Sequence, residues 1–94
     1  MMSQLPIDLK NINKKDLDRE ILRAGLIAEF DAINLYEQMA AMTASENLKK
    51  VLMDIAKEEK THVGEFQALL LREDKEQVDE LQHGSKEVGE MIGE

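Results

Sequence analysis

Apolar residues between positions 14 and 42 recur at intervals of three, four or seven, the spacing that places them on shared faces of an α-helix. We therefore expect a long helix over about 14–42, with Asn13 as its N-cap. Ile27 and Phe30 widen the apolar surface, and a helix this apolar must be covered on more than one side. The two main tracks are Leu17, Ile21, Ala24, Ala28, Leu35 and Met42, and Leu22, Leu26, Ile33, Tyr36 and Ala40.

The segment from Thr43 to Glu46 matches a capping box, in which a Thr or Ser caps a helix that carries Glu three residues later. It predicts a short turn followed by a second helix over about 46–72. Two polar residues, Glu59 and His62, fall on the apolar seam of this helix, where Leu or Ile is expected. The seam consists of Leu48, Leu52, Ile55, Glu59, His62, Phe66 and Leu69.

The two ends of the chain predict smaller elements. Alternating apolar residues in 1–12 favour an extended arm that packs on another element, and a free leader is the alternative. Asp74 is placed to cap a short third helix that ends near Gly84, followed by a last amphipathic turn or frayed tail. The predicted organisation is an arm at 1–12, a helical hairpin at 13–72 and a short C-terminal helix with a tail at 73–94.

These elements predict an all-α fold, built on an antiparallel hairpin of two helices. Two helices cannot bury two apolar faces each. The simplest missing partner is a second copy, and we expect a four-helix bundle that forms by dimerisation.

Composition and charge narrow the classes of function. The chain has 94 residues, enough for one small domain, and its 20 acidic and 12 basic residues give a net charge of −8. This charge disfavours nucleic acid or an anionic membrane as a partner and favours cations. The absence of Cys excludes disulfides, iron–sulfur clusters and thiol catalysis. Because no apolar run has membrane length and no signal-peptide pattern is present, we expect a cytoplasmic location.

Glu59 and His62 form a Glu-x-x-His pair, which places a carboxylate and an imidazole on one face of a helix within reach of one cation. The pattern alone is weak, because Glu80 and His83 match it too. Context separates the two pairs. Glu59 and His62 replace apolar seam residues, and a buried carboxylate needs a partner or a metal. Glu80 and His83 lie in a short polar segment, where a solvated surface pair is expected.

Glu29 adds a third candidate ligand on the first helix. Glu29 and Glu59 each lie 15 residues from Ala44 at the centre of the turn, so in an antiparallel hairpin both are about 22 Å from it. Two carboxylates and an imidazole suit iron or manganese, and zinc is chemically possible. In the alternative, these residues have only a structural role. The carboxylates then face solvent or pair with a basic side chain, and His62 is a semi-buried histidine whose hydrogen bonds are satisfied. The candidate cations are Lys57, Lys60 and Arg23.

One chain supplies half of a di-iron carboxylate site. Such sites in four-helix bundles take one Glu from each of two helices and a Glu-x-x-His from each of the other two. The second Glu-x-x-His pair cannot complete the set within one chain, because the 18 residues from His62 to Glu80 are too few for another long Glu-bearing helix followed by a second Glu-x-x-His helix. We therefore expect a complete site only between two chains.

Residues 27–37, IAEFDAINLYE, and residues 54–66, DIAKEEKTHVGEF, resemble the encapsulated ferritin-like proteins, relatives of ferritin and rubrerythrin that are cargo of encapsulin nanocompartments or are fused to the shell protein. The resemblance implies hairpin dimers in a ring, commonly of ten subunits, with iron between chains. It also implies a ferroxidase that oxidises Fe(II) with dioxygen or peroxide, working with an encapsulin shell that stores the mineral. Glu29, Glu59 and His62 match the ligands of the di-iron centre.

The resemblance also assigns two neighbouring residues. Tyr36 matches a tyrosine beside the iron site, with an aromatic core filler as the alternative, and Asp31 matches an acidic residue on the route of iron into the site. Ala28 and Leu35 depart from the family pattern, which carries an acid and an aromatic there in some relatives. No cargo-loading peptide is identified in the tail.

Two other functions fit the same residues. One is a rubrerythrin-like peroxide-reducing protein, whose electrons must come from elsewhere because the chain has no Cys for a rubredoxin-type iron centre. The other is a non-catalytic helical oligomer that binds zinc or no metal.

Overall fold

Three α-helices account for nearly all of the described chain. A computed structural model describes residues 13–14 and 16–94, with α1 at Leu17–Met42, α2 at Glu46–Glu73 and α3 at Lys75–Ile92. No strand occurs among these residues, so the predicted all-α fold is confirmed. The arm predicted at 1–12 lies outside the described residues.

The helices α1 and α2 pack side by side as the predicted antiparallel hairpin. Their connection differs in its caps from the expected capping box. Ser45, not Thr43, is the N-cap of α2, and its Oγ accepts a hydrogen bond from the backbone N of Leu48 at 3.2 Å. Thr43 closes α1, and its Oγ1 accepts from the backbone N of Ser45 at 3.1 Å. The N-cap of α2 therefore lies two residues later than predicted, and the backbone is extended at both Thr43 and Ser45.

The start of α1 is also later than predicted. The helix begins at Leu17 with Asp16 as its N-cap, so the expectation that Asn13 caps it is wrong. The carbonyl oxygen of Asn13 instead accepts a hydrogen bond from the backbone N of Asp16 at 2.9 Å. Asn13 and Asp16 therefore belong to a turn that precedes the helix and are not part of the helix itself.

The buried core of one chain is small and is made partly of alanine. Ala40 is 2% exposed and Ala56 is 1% exposed, and such small side chains allow the helices to approach closely. Many large apolar side chains remain exposed, including Phe30 at 55% and Leu69 at 52%. A surface of this kind is typical of a chain that associates. The buried apolar residues are Leu22, Ala24, Ile33, Ala40, Leu52, Ala56 and Leu70.

The third helix is longer than the sequence predicted. It continues through Gly84 to Ile92 and ends at Gly93, whose φ of 80° is the left-handed conformation that glycine favours at helix ends. A glycine in a helix costs only about 1 kcal/mol relative to alanine, so Gly84 does not stop the helix. None of the residues of α3 is buried, and Val88 and Ile92 are 53% and 63% exposed. The helix therefore leaves the hairpin with its apolar side uncovered.

Asp74 joins the three helices at one end of the hairpin. Its Oδ1 accepts a hydrogen bond from the backbone N of Gln77 at 3.0 Å, as expected for the N-cap of α3. Its Oδ2 lies 2.9 Å from Nη2 of Arg23 on α1. The hydrogen bond from the Gln77 backbone, together with Arg23, lowers the pKa of Asp74 below 3.8.

None of the helices in the described part of the chain combines the length and the hydrophobicity of a membrane-spanning segment.

Replacing Asp74 tests this junction. Asp74→Ala removes the cap of α3 and the partner of Arg23, so we expect a lower thermal midpoint and a loss of helical circular dichroism. Asp74→Asn keeps a capping oxygen and should lose less. Because the pKa of Asp74 is lowered, its carboxylate stabilises the fold above pH 3.8, and this contribution is lost as the pH falls further. The difference between wild type and Asp74→Asn should therefore shrink in acid. An unchanged melting curve for Asp74→Ala would contradict the assignment.

Candidate metal centre

Glu29, Glu59 and His62 meet between the two long helices. Glu29 comes from α1, whereas Glu59 and His62 lie one turn apart on α2. The Nδ1 of His62 lies 3.4 Å from Oε2 of Glu29 and 3.5 Å from Oε2 of Glu59. One potential ligand atom from each residue falls within 4.8 Å of the other two. In the described part of the chain, this is the only group of three or more acidic or histidine side chains arranged in this way.

The two carboxylates are more buried than the imidazole. The side chains of Glu29 and Glu59 are each 18% exposed, and that of His62 is 44% exposed. The Oε2 atom of Glu29 is buried, and the 3.4 Å approach of His62 Nδ1 does not have the geometry of a hydrogen bond. A buried carboxylate oxygen without a hydrogen bond is costly, and a bound cation is a common way to satisfy it. The donor set therefore fits a metal ion.

The three groups also shift one another's pKa values. The pKa of Glu29 is raised above 4.5 because its protonated form can hydrogen-bond to the Glu59 carboxylate, and because burial and the charge of Glu59 oppose its ionisation. Burial lowers the pKa of His62, but the charges of Glu29 and Glu59 outweigh this effect and raise it above 6.5. Both shifts favour the protonated form of the group, as expected where two carboxylates lie close together at a partly buried site.

In the structural alternative, the carboxylates pair with one of three basic residues, and two of these three pair with other carboxylates. Lys60 Nζ lies 3.1 Å from Oε2 of Glu37, and Arg23 pairs with Asp74. Neither cation therefore neutralises Glu29 or Glu59. Among the described residues, His62 is the only basic side chain that contacts Glu29 or Glu59.

Two further predicted residues lie on α1 outside the cluster. Tyr36 is half-buried, two turns after Glu29, and is not one of the three grouped side chains. Asp31 is half-buried as well. The roles that the resemblance assigns to Tyr36 and Asp31 stay predictions.

The second Glu-x-x-His pair is a surface pair, as expected. The side chains of Glu80 and His83 are 63% and 60% exposed, and they contact each other at 3.2 Å through Nδ1 of His83. Glu87 also contacts this histidine, with its Oε1 2.9 Å from Nε2 of the ring. This contact was not predicted, although the spacing of four residues between His83 and Glu87 indicates it. The two carboxylates approach opposite ring nitrogens, so they do not converge on one cation.

The sequence relatives of this chain identify its family. Residues 5–86 match the sequence profile of the EncFtn-like family. The chain belongs to this family. The EncFtn-like chain is 58% identical over 84 residues to a ferritin-like–encapsulin shell fusion protein of Pyrococcus furiosus, a match that covers 89% of this chain. It is 36% identical over 69 residues to the encapsulin nanocompartment cargo protein EncC of Myxococcus xanthus, which covers 70% of this chain.

A solved structure supports the same family fold. The EncFtn-like chain is similar to the crystal structure of an encapsulated ferritin domain from Pyrococcus furiosus, with a TM-score of 0.84 and 53% identity. The match covers 97% of this chain and 98% of the other. Relative to the curated proteins, the chain spans 24% of the length of the fusion protein and 53% of that of EncC. The predicted resemblance to encapsulated ferritin-like proteins is confirmed.

The pKa shifts predict how metal binding depends on pH. Raised pKa values of Glu29 and His62 stabilise the metal-free protein below pH 4.5 and 6.5, respectively, and this stabilisation is lost as the pH rises through the shifted values. A cation must displace these protons, so its affinity should increase with pH. Calorimetric titration with Co(II) near pH 6.5, in two buffers of different ionisation heat, should show net proton release. Equal binding heats in both buffers would contradict this prediction.

Proposed function

We propose that this chain is a ferroxidase, which oxidises Fe(II) to Fe(III) at a di-iron site formed by two copies of the chain. Each copy supplies Glu29, Glu59 and His62. The observation that supports the proposal most strongly is the buried, unbonded Oε2 of Glu29 beside Glu59 and His62. Carboxylate and imidazole ligands from paired helices are the donor set of the di-iron carboxylate proteins.

A second copy is required by the number of ligands. A complete di-iron site in a four-helix bundle uses four Glu and two His, and one hairpin offers half of these. The exposed apolar residues of the hairpin give the second copy a surface to bury. Ile27 is 40% exposed, and Phe30, which follows Glu29 in the chain, is 55% exposed. We propose a homodimer of hairpins that closes a four-helix bundle around the metals, with dimers assembling further into a ring of about ten chains, as the resemblance implies.

Each ligand has a distinct place in the proposed site. Glu59 of each copy would be a ligand of both ions, and Glu29 and His62 would each be a ligand of one ion. Two Fe(II) ions would supply the two electrons, and the solvent two protons, that reduce dioxygen to hydrogen peroxide or hydrogen peroxide to two water molecules, with each iron oxidised to Fe(III). The carboxylates stabilise the higher charge of Fe(III), and His62 must lose its proton before it can bind. Iron is here the substrate: it enters as Fe(II), leaves as Fe(III), and is then stored as mineral in the shell.

The charges around the site support the capture of cations. The net charge of −8 attracts Fe(II) to the protein and increases its local concentration. Asp31, on the same helix as Glu29, is proposed to lie on the route of iron to the site. Tyr36 is proposed to lie beside the site in the assembled protein, where a phenol can exchange an electron or hydrogen-bond to a ligand.

The names of the relatives support an encapsulin partner. The matched proteins are an encapsulin shell fusion and an encapsulin cargo protein. We propose that this chain works inside an encapsulin nanocompartment in the cytoplasm, with the shell holding the mineral. The same proposal covers a chain fused to the shell and a chain loaded as separate cargo.

Replacing the ligands tests the proposed reaction. We expect Glu59→Ala and His62→Ala to slow Fe(II) oxidation by at least about 100-fold, because loss of a ligand should exceed the 10- to 100-fold effect typical of residues that only orient ligands. Oxygen consumption and the absorbance of Fe(III), followed together, measure the rate.

The second Glu-x-x-His pair provides matched controls. Glu80→Ala and His83→Ala remove the same side chains from the exposed surface of α3, and they should oxidise Fe(II) at the wild-type rate. Wild-type rates in the Glu59 and His62 variants would overturn the proposed function. Tight zinc binding without any iron-dependent oxygen consumption would instead favour the non-catalytic interpretation. Peroxide turnover without accumulation of Fe(III) would favour a peroxide-reducing protein.

A further inference from the structure

The ring of Phe66 lies directly against the backbone of α1 at Gly25. A Cβ atom placed on Gly25 would lie 3.1 Å from Cζ of Phe66 and 3.2 Å from each Cε atom. Carbon atoms in ordinary contact are about 3.5–4.0 Å apart. The aromatic ring therefore occupies the space that any other side chain at position 25 would need.

This contact lies one helical turn from the proposed metal site. Gly25 precedes Glu29 by four residues on α1, and Phe66 follows His62 by four residues on α2. Because the helices are antiparallel, the two pairs are in the same register, about 6 Å apart along the hairpin. Glu29 and His62 are the two side chains whose 3.4 Å contact joins the helices at the site.

We propose that Gly25 and Phe66 are positioning residues whose contact sets the separation of α1 and α2 at the level of the metal ligands. This inference rests on the proposed function, because it assumes that Glu29, Glu59 and His62 bind metal. The ring of Phe66 prevents closer approach of the helices, and the absence of a side chain at Gly25 allows them to come this close. Neither residue touches the metal.

Metal binding is sensitive to displacements of this size. The shortfall between 3.1 Å and an ordinary contact is a few tenths of an ångström. Ligand distances in metal sites are held within about 0.2 Å. A methyl group at position 25 should push the helices apart, or rotate Phe66, by more than the site tolerates. Glu29 would then move away from the two ligands on α2.

The variant Gly25→Ala tests the contact, and Gly64→Ala is its matched control. Both place a methyl group on a helical glycine, but a Cβ at Gly64 has no neighbouring atom within 4 Å. With Co(II) as the probe, we expect Gly25→Ala to weaken binding by about tenfold or more and to change the visible absorption of the bound ion. Gly64→Ala should match wild type in affinity and in spectrum.

A double variant with compensating changes distinguishes an effect on the separation of the helices from general destabilisation. Phe66→Leu removes the distal ring atoms that face Gly25, so it should also weaken Co(II) binding, and it introduces no clash. In the double variant, Gly25→Ala with Phe66→Leu, the new methyl group fills the space left by the ring. We expect its affinity and spectrum to return towards wild type, with non-additive effects of the two changes.

The outcomes distinguish this inference from the proposed function. Unchanged Co(II) binding in Gly25→Ala, equal loss in Gly64→Ala, or a double variant as weak as the single variants would each overturn the role of the contact. If wild type itself binds no Co(II), the proposed metal site fails first. If Gly25→Ala does not fold, Phe66→Leu and the double variant carry the same comparison.

Discussion

The structure depends on one electrostatic constraint, the placement of two carboxylates at the same level between two apolar helices. Glu29 and Glu59 are each 18% exposed, and one buried oxygen of Glu29 has no hydrogen bond. His62 supplies the nearest positive charge, and only when it is protonated. Such an arrangement stores an unfavourable interaction in the metal-free protein. Under the proposed function, a divalent cation removes this unfavourable interaction, which gives metal binding a source of free energy.

The same constraint connects the site to assembly. The hairpin covers its buried alanines and leucines but leaves residues such as Phe30 and Leu69 more than half exposed. In the proposed di-iron site, one chain supplies only half of the ligands, since two helices form half of a four-helix bundle. Under the proposed function, a second copy covers apolar surface and completes the coordination in one step, so metal binding and association are thermodynamically linked.

Periodicity and chemistry predicted the main features of this fold, and local geometry accounts for what they missed. The hairpin and the convergence of Glu29 with Glu59 and His62 followed from apolar spacing and from equal distances to the turn. The length of α3 did not, because Gly84 resembles a helix stop although an exposed glycine costs a helix little. The contact between Gly25 and Phe66 also escaped prediction. The packing of a side chain of one helix against the backbone of another depends on how the helices pack, which spacing within one helix does not describe.

The most direct test of a metal site shared by two chains is native mass spectrometry of the purified protein, titrated with Fe(II) without oxygen and paired with metal analysis. We expect assemblies with an even number of chains that take up two iron ions for every two chains. Glu59→Ala should keep its fold and lose the bound iron. A protein that remains monomeric while saturated with iron would contradict the shared site.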